Sequence, residues 1–171
     1  TIEQHERLFI LNYPGGSRLN RTIGMIVSAM LSAKGGYKVG YQFDPYRIIV
    51  DAPTRTTVKD MLAIMKGFVS NIGSLLRFAI KDSPSLKPQL LHSARKMGAI
   101  APDADIGKFG MKKLMEAYSD TPLYSEAVGR FLFHQLDEKG MENFINQINS
   151  EEISVKLSPK TPHGYAGLDP Y

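Results

Sequence analysis

Hydrophobic residues fall along this chain in three distinct rhythms, and each rhythm predicts a different element. Leu8 to Leu11 is a continuous apolar run of strand length, the pattern of a strand buried on both faces. Pro14-Gly15-Gly16-Ser17 then turns the chain, with Ser17 the expected N-cap of a helix. From Arg18 to Lys34 the apolar positions are Leu19, Ile23, Ile26, Val27, Met30 and Leu31, a helical stripe. Gly24, Ser28, Ala29 and Ser32 give the same helix a second side on which neighbours can approach closely, and its charges are confined to the two ends. Gly35-Gly36 supplies the left-handed residue that closes a helix.

Strict alternation follows. Tyr37, Val39, Tyr41 and Phe43 are interleaved with Lys38, Gly40 and Gln42, which predicts a half-buried strand. After the turn at Asp44-Pro45, Tyr46 to Asp51 is the partner strand of a hairpin, and Pro53 ends it.

Beyond Pro53 the helical period takes over. Thr57 with Asp60 three residues on has the form of a capping box, opening a helix through Met61, Leu62 and Met65. Phe68–Ala79, Leu86–Met97, Ile106–Tyr118 and Pro122–Asp137 follow, the last begun by Thr121 with proline at the first helical position. Gly140 reads as an interruption before a short helix over Glu142–Asn149. Ile153, Val155 and Leu157 alternate with polar residues and predict a final strand, and the Pro- and Gly-rich tail Pro159–Tyr171 is expected to be extended.

The expected architecture is therefore α+β: a small, mostly antiparallel sheet (β-α-β-β … β) packed with a block of about five helices. Residues 1–56 would form the sheet portion, 57–150 the helical portion, and 151–171 the last strand and tail. All three are expected to make one compact domain within a larger protein. The start at Thr1 and the finish at Asp169-Pro170-Tyr171 fit a piece of a longer polypeptide.

Composition narrows the function more than the fold. With 171 residues, 43% of them hydrophobic, the chain can bury a core without covalent staples. It has no cysteine, which excludes disulfides, thiolate zinc sites and cysteine nucleophiles, and fits a cytoplasmic location. No apolar run is long enough for a membrane span. Twenty-one Lys and Arg against 17 Asp and Glu give a net charge of +4. Most of the excess lies in the first hundred residues, whereas Glu116–Glu152 is mostly acidic. One basic face toward a polyanion would produce that asymmetry.

Candidate chemistry is sparse. No G-x-x-x-x-G-K-[ST] or acidic helicase-type motif is present, so this chain alone is not expected to hydrolyse a nucleotide. The four histidines His5, His92, His134 and His163 are scattered, and no metal site is expected. What remains is Gly15-Gly16-Ser17-Arg18-Leu19-Asn20-Arg21. A glycine pair at a strand-to-helix joint, followed by two arginines and an asparagine, gathers donors suited to a phosphate. The same glycines could serve backbone geometry alone, and Arg18 and Asn20 could pair with neighbours. Lys38, Arg47 and Arg55 on or beside the hairpin would extend a basic surface. Tyr37, Tyr41 and Tyr46 fit a core better than a stacking platform.

The segment Ile10-Leu11-Asn12-Tyr13-Pro14-Gly15-Gly16-Ser17-Arg18-Leu19-Asn20 resembles the V-I-H-x-x-x-G-x-R-V-N stretch of large helicase-related (Lhr) proteins. Phe43-Asp44-Pro45-Tyr46-Arg47-Ile48 is similar to the D-x-Y-x-I hairpin that follows it there, and Ala94-Arg95-Lys96-Met97-Gly98 to an A-R-x-M-G helix. Tyr118 to Ala127 resembles Y-x-x-T-P-L-x-x-E-A, and Leu136-Asp137-Glu138-Lys139-Gly140 resembles L-D-x-x-G. The resemblance is to the DEAD/DEAH-associated region, downstream of the two ATPase lobes of superfamily 2 helicases. It implies an accessory domain contributing to the binding of single-stranded or partly duplex nucleic acid. ATP and Mg would be held only in the ATPase lobes of the same parent polypeptide. Gly15, Gly16, Ser17, Arg18, Asn20, Arg21, Lys38 and Arg47 are the expected contacts to phosphate or sugar. The alternative is a scaffold domain that never touches the strand.

Overall fold

In the computed structural model, residues 2–5, 8–53, 55–67, 72–81 and 83–156 are described. The elements run β1 (Ile2–His5), β2 (Leu8–Asn12), α1 (Gly16–Gly35), β3 (Gly40–Phe43), β4 (Arg47–Asp51), α2 (Val58–Lys66), α3 (Ile72–Lys81), α4 (Leu86–Lys96), α5 (Lys108–Tyr118), α6 (Pro122–Gln135) and α7 (Glu138–Asn149). The four strands are ordered β1-β2-β4-β3, and every pairing among them is antiparallel. The class is α+β, as the pattern predicts.

Why the sheet takes this form follows from its register. Phe9 lies opposite Val50 and Leu11 opposite Ile48, while Tyr41 and Phe43 sit across from the same two β4 residues. One face of the sheet is thus continuously apolar, and α1 covers it with Ile23, Ile26 and Val27. The helix lies close: a Cβ on Gly24 would be 2.6 Å from the Tyr41 ring and 3.1 Å from Ile48 Cγ2. Two serines on α1 grip the chain entering β3, Ser28 Oγ donating to Val39 O (2.6 Å) and Val39 N donating to Ser32 Oγ (3.0 Å). Gly36, at φ +67°, ends α1 in the left-handed conformation that the glycine pair predicts.

The helices close the other side of this layer. Leu76 and Ile80 of α3, Phe131 of α6 and Met141, Phe144 and Ile145 of α7 join the cluster that holds Phe9 and Ile48. A second cluster links Leu90 and Ala94 of α4, Leu114 of α5, and Leu123 and Ala127 of α6.

Several expectations are corrected. The edge beside β2 is taken by β1, a strand the sequence pattern does not announce. Ile153 and Val155 pack against the core without forming a strand: Ile153 N donates back to Gln147 O (3.0 Å), and Ile2 N donates to Lys156 O (2.9 Å). A hairpin between neighbouring segments closes a far shorter loop than a strand returning from residue 153. Gly140 does not interrupt α7: it is the third residue of the helix, and its N–H donates to Asp137 Oδ1 (2.9 Å), which caps it. Ser17 is not the N-cap of α1; Gly15 is, and the helix begins at Gly16. α6 stops at Gln135, with Leu136 already extended. Leu157, the tail Pro159–Tyr171 and the expected helix start at Phe68 lie outside the described residues.

Candidate nucleic-acid interface

Three elements meet where β2 passes into α1. Tyr13 N donates to Tyr46 O (2.8 Å) and Gly16 N to Pro45 O (3.0 Å), so the glycine turn is bonded to the tip of the β3–β4 hairpin. Asn20 lies beneath them with no exposed surface. Its Nδ2 donates to Tyr13 O (2.9 Å) and to Asp44 O (2.8 Å), tying the two turns from inside. Both glycines are required here: a Cβ on Gly15 would lie 2.6 Å from the Tyr13 ring, and Gly16 has φ +79°.

The hairpin tip is itself held rigid. The Asp44 carboxylate accepts from Tyr46 N (2.8 Å), Arg47 N (3.0 Å) and Arg47 Nε (2.7 Å). Desolvation raises the Asp44 pKa, but these hydrogen bonds and the Arg47 charge outweigh it and leave the carboxyl below its ordinary value. Arg18 joins α1 to α6: its Nη2 donates to Phe133 O (2.8 Å) and Leu136 O (2.5 Å), carbonyls at the end of a helix where a cation is favoured. Arg21 lies between the rings of Phe43 and Phe131, 5.7 and 5.1 Å from their centroids, and donates to Gln135 Oε1.

Around this junction two large side chains stand in solvent. Tyr46 at the hairpin tip is 72% exposed, and Phe133 near the end of α6 is 75% exposed, with its ring edge-on to His134 at 5.0 Å. Along the other flank of α1 runs an open groove of about 650 Å³, floored by Ala29, Ser32 and β3 and walled by Phe78 and the turn at Ser83-Pro84-Ser85. Arg21 and Lys38 line it, and among the described residues no acidic side chain does. Tyr41, at its side, has its phenol pushed up by burial, an effect the Arg21 charge opposes. Among the described residues no three His, Asp or Glu side chains are grouped to hold a metal ion.

The DEAD/H associated family profile matches residues 1–163. The chain belongs to that family. Its fold is also that of a region in the solved structure of Mycobacterium smegmatis helicase Lhr bound to ssDNA and AMP-PNP. The two share a TM-score of 0.69 and 16% identity over 94% of this chain and 22% of the helicase. The DEAD/H associated chain thus spans about a fifth of that helicase's length. No curated protein sequence matches it. Among the described residues no helix is long and apolar enough to cross a membrane.

Within this DEAD/H associated domain the nominated residues separate into three groups. Gly15, Gly16, Ser17 and Arg18 are brought together with the hairpin tip, and Ser17 and Arg18 are exposed. Asn20, Arg21 and Arg47 are at the same junction but turned to the chain's own groups: Asn20 is fully buried, Arg21 sits between rings, and Arg47 is paired with Asp44. Lys38 stands apart. It follows the C-terminus of α1, a helix of 20 residues, so about 30 Å of helix separates it from Ser17. Tyr46, expected in the core, is instead exposed at the hairpin tip, and for Phe133 the sequence carries no expectation of a site. Tyr46 beside a hairpin-tip proline carries a usable signal, because tips point to solvent. Phe133 does too, since Phe131 and Phe133 cannot share one helix face.

Proposed function

We propose that this chain is an accessory domain of an ATP-dependent helicase and holds one strand of nucleic acid at the junction where α1 begins. The observation that carries the reading is the pair of exposed aromatics, Tyr46 and Phe133, whose backbone carbonyls accept from Tyr13 N, just before the glycine turn, and from Arg18. Bases would stack on the two rings, an interaction indifferent to sequence, as a stepping motor requires. The Ser17 hydroxyl, the Ser17 and Arg18 amides in the first turn of α1 and those Arg18 donors not aimed at α6 would face the backbone phosphates. The ssDNA in the structurally similar helicase supports a strand of this kind. ATP and Mg would belong to the ATPase lobes of the parent polypeptide.

Fluorescence anisotropy of a labelled oligo-dT with the purified chain tests the reading. Tyr46→Ala and Phe133→Ala should each weaken binding by roughly tenfold. Ser17→Glu should weaken it most at low salt, and Lys38→Ala should leave it unchanged. The scaffold reading is favoured by one observation: Arg18, Asn20 and Arg21 all donate to groups of this chain. Unchanged affinity in both aromatic variants would leave that reading standing alone.

A further inference from the structure

Among the described residues no strand pairs with the outer edge of β3, which borders the groove along α1, and the hydrogen-bonding pattern of that edge is partly closed. Asp44 N donates to Arg47 O (2.9 Å), which fixes Asp44 and Arg47 as a hydrogen-bonded pair. Antiparallel pairs alternate, so Gln42 and Gly40 direct their backbone groups toward β4, while Phe43, Tyr41 and Val39 direct theirs away from it. Val39 is already served, because Ser28 and Ser32 of α1 take its C=O and its N–H. Tyr41 and Phe43 therefore offer outward N–H and C=O groups over a groove of about 650 Å³.

We propose that this groove receives a short extended peptide of a partner polypeptide, which adds to β3 as a fifth strand and carries an acidic side chain between apolar ones. The edge supplies main-chain hydrogen bonds, and alternate side chains of the guest find different surroundings. Inward ones lie over the small residues Ala29 and Ser32 and against Phe78, which is 51% exposed. The acidic residue answers Lys38, one of two cations in a lining that holds no carboxylate among the described residues. Lys38 has no ion pair among the described residues, and Arg21 rests on rings and an amide. A nucleic-acid strand fits less well, since a mostly apolar cleft with two cations gives successive phosphates little to grip.

A phage-displayed heptapeptide library selected on the purified chain supplies the probes. Enriched sequences should be β-formers with an Asp or Glu. Amide exchange at Tyr41 and Phe43 should slow by about 100-fold with an enriched peptide at about 100 times its Kd, with little change at Gly40 and Gln42. Lys38→Glu, an exposed position, should weaken the peptide by ~5-fold. A peptide with lysine in place of its acid should regain binding to that variant. The proposal is overturned if no sequence is enriched, or if a bound peptide leaves the Tyr41 and Phe43 amides unprotected. It is equally overturned if oligo-dT protects these amides and displaces the peptide.

Discussion

At the scale of single residues, the junction at the start of α1 depends on Asn20. Its amide nitrogen, without exposed surface, bridges the carbonyls of Tyr13 and Asp44, so Asn20→Ala should cost about 2 kcal/mol, measured as a lower urea midpoint with an unchanged slope. Little of this role could be read from the sequence. Tyr13 and Asp44, its partners, are seven positions before it and 24 after, and only folding brings them together. Asp60 makes the opposite case. Its pairing with Thr57 was legible, and the structure adds Lys34, whose Nζ lies 2.9 Å from Asp60 Oδ1. The Lys34 hydrogen bond, with those from Thr57, pulls the Asp60 pKa from 3.8 to about 2. A depressed carboxyl stabilises the fold above its unfolded pKa, and that contribution is lost as pH falls through the folded value. Urea midpoints measured between pH 5 and pH 2 should therefore fall less steeply for Asp60→Asn than for the unaltered chain.

At the scale of elements, two helical glycines should respond to alanine with opposite signs. On α6, Gly129 is exposed with open space where a Cβ would go, so Gly129→Ala should raise stability by about 1 kcal/mol through helix propensity alone. On α1, Gly24→Ala would drive a methyl into Tyr41 and Ile48 and should lower it by about 1–3 kcal/mol. Thermal unfolding of the two variants checks both. Elements with local signals were legible: the capping box of α2, Thr121 with Pro122 on α6, and the paired glycines after α1. Where the local signal was weak or ambiguous the reading failed. Ile2-Glu3-Gln4-His5 has too little apolar alternation to announce β1, and a glycine at the third position of α7 looked like a break until Asp137 was seen to require it.

At the scale of the whole molecule, one core joins the sheet to the helices behind it. Residues from β2, β4 and α1 pack against Phe131, Phe144 and Ile145, so a fragment of residues 1–56 would leave that side of α1 bare. Such a fragment should show no cooperative unfolding and a collapsed amide spectrum, whereas residues 1–156 should fold. The basic excess of the front half also acquires a place: the groove lies wholly on elements of the first half, and the aromatic junction joins those elements to the end of α6. One backbone bond has a mechanical consequence. Ile2 N and Lys156 O are 2.9 Å apart, so the segment that follows α7 lies beside the start of β1. Tension applied at those two points would peel β1 from its neighbour one rung at a time. Under the proposed function, pull on the flanking chain would strain that seam before it loaded the start of α1.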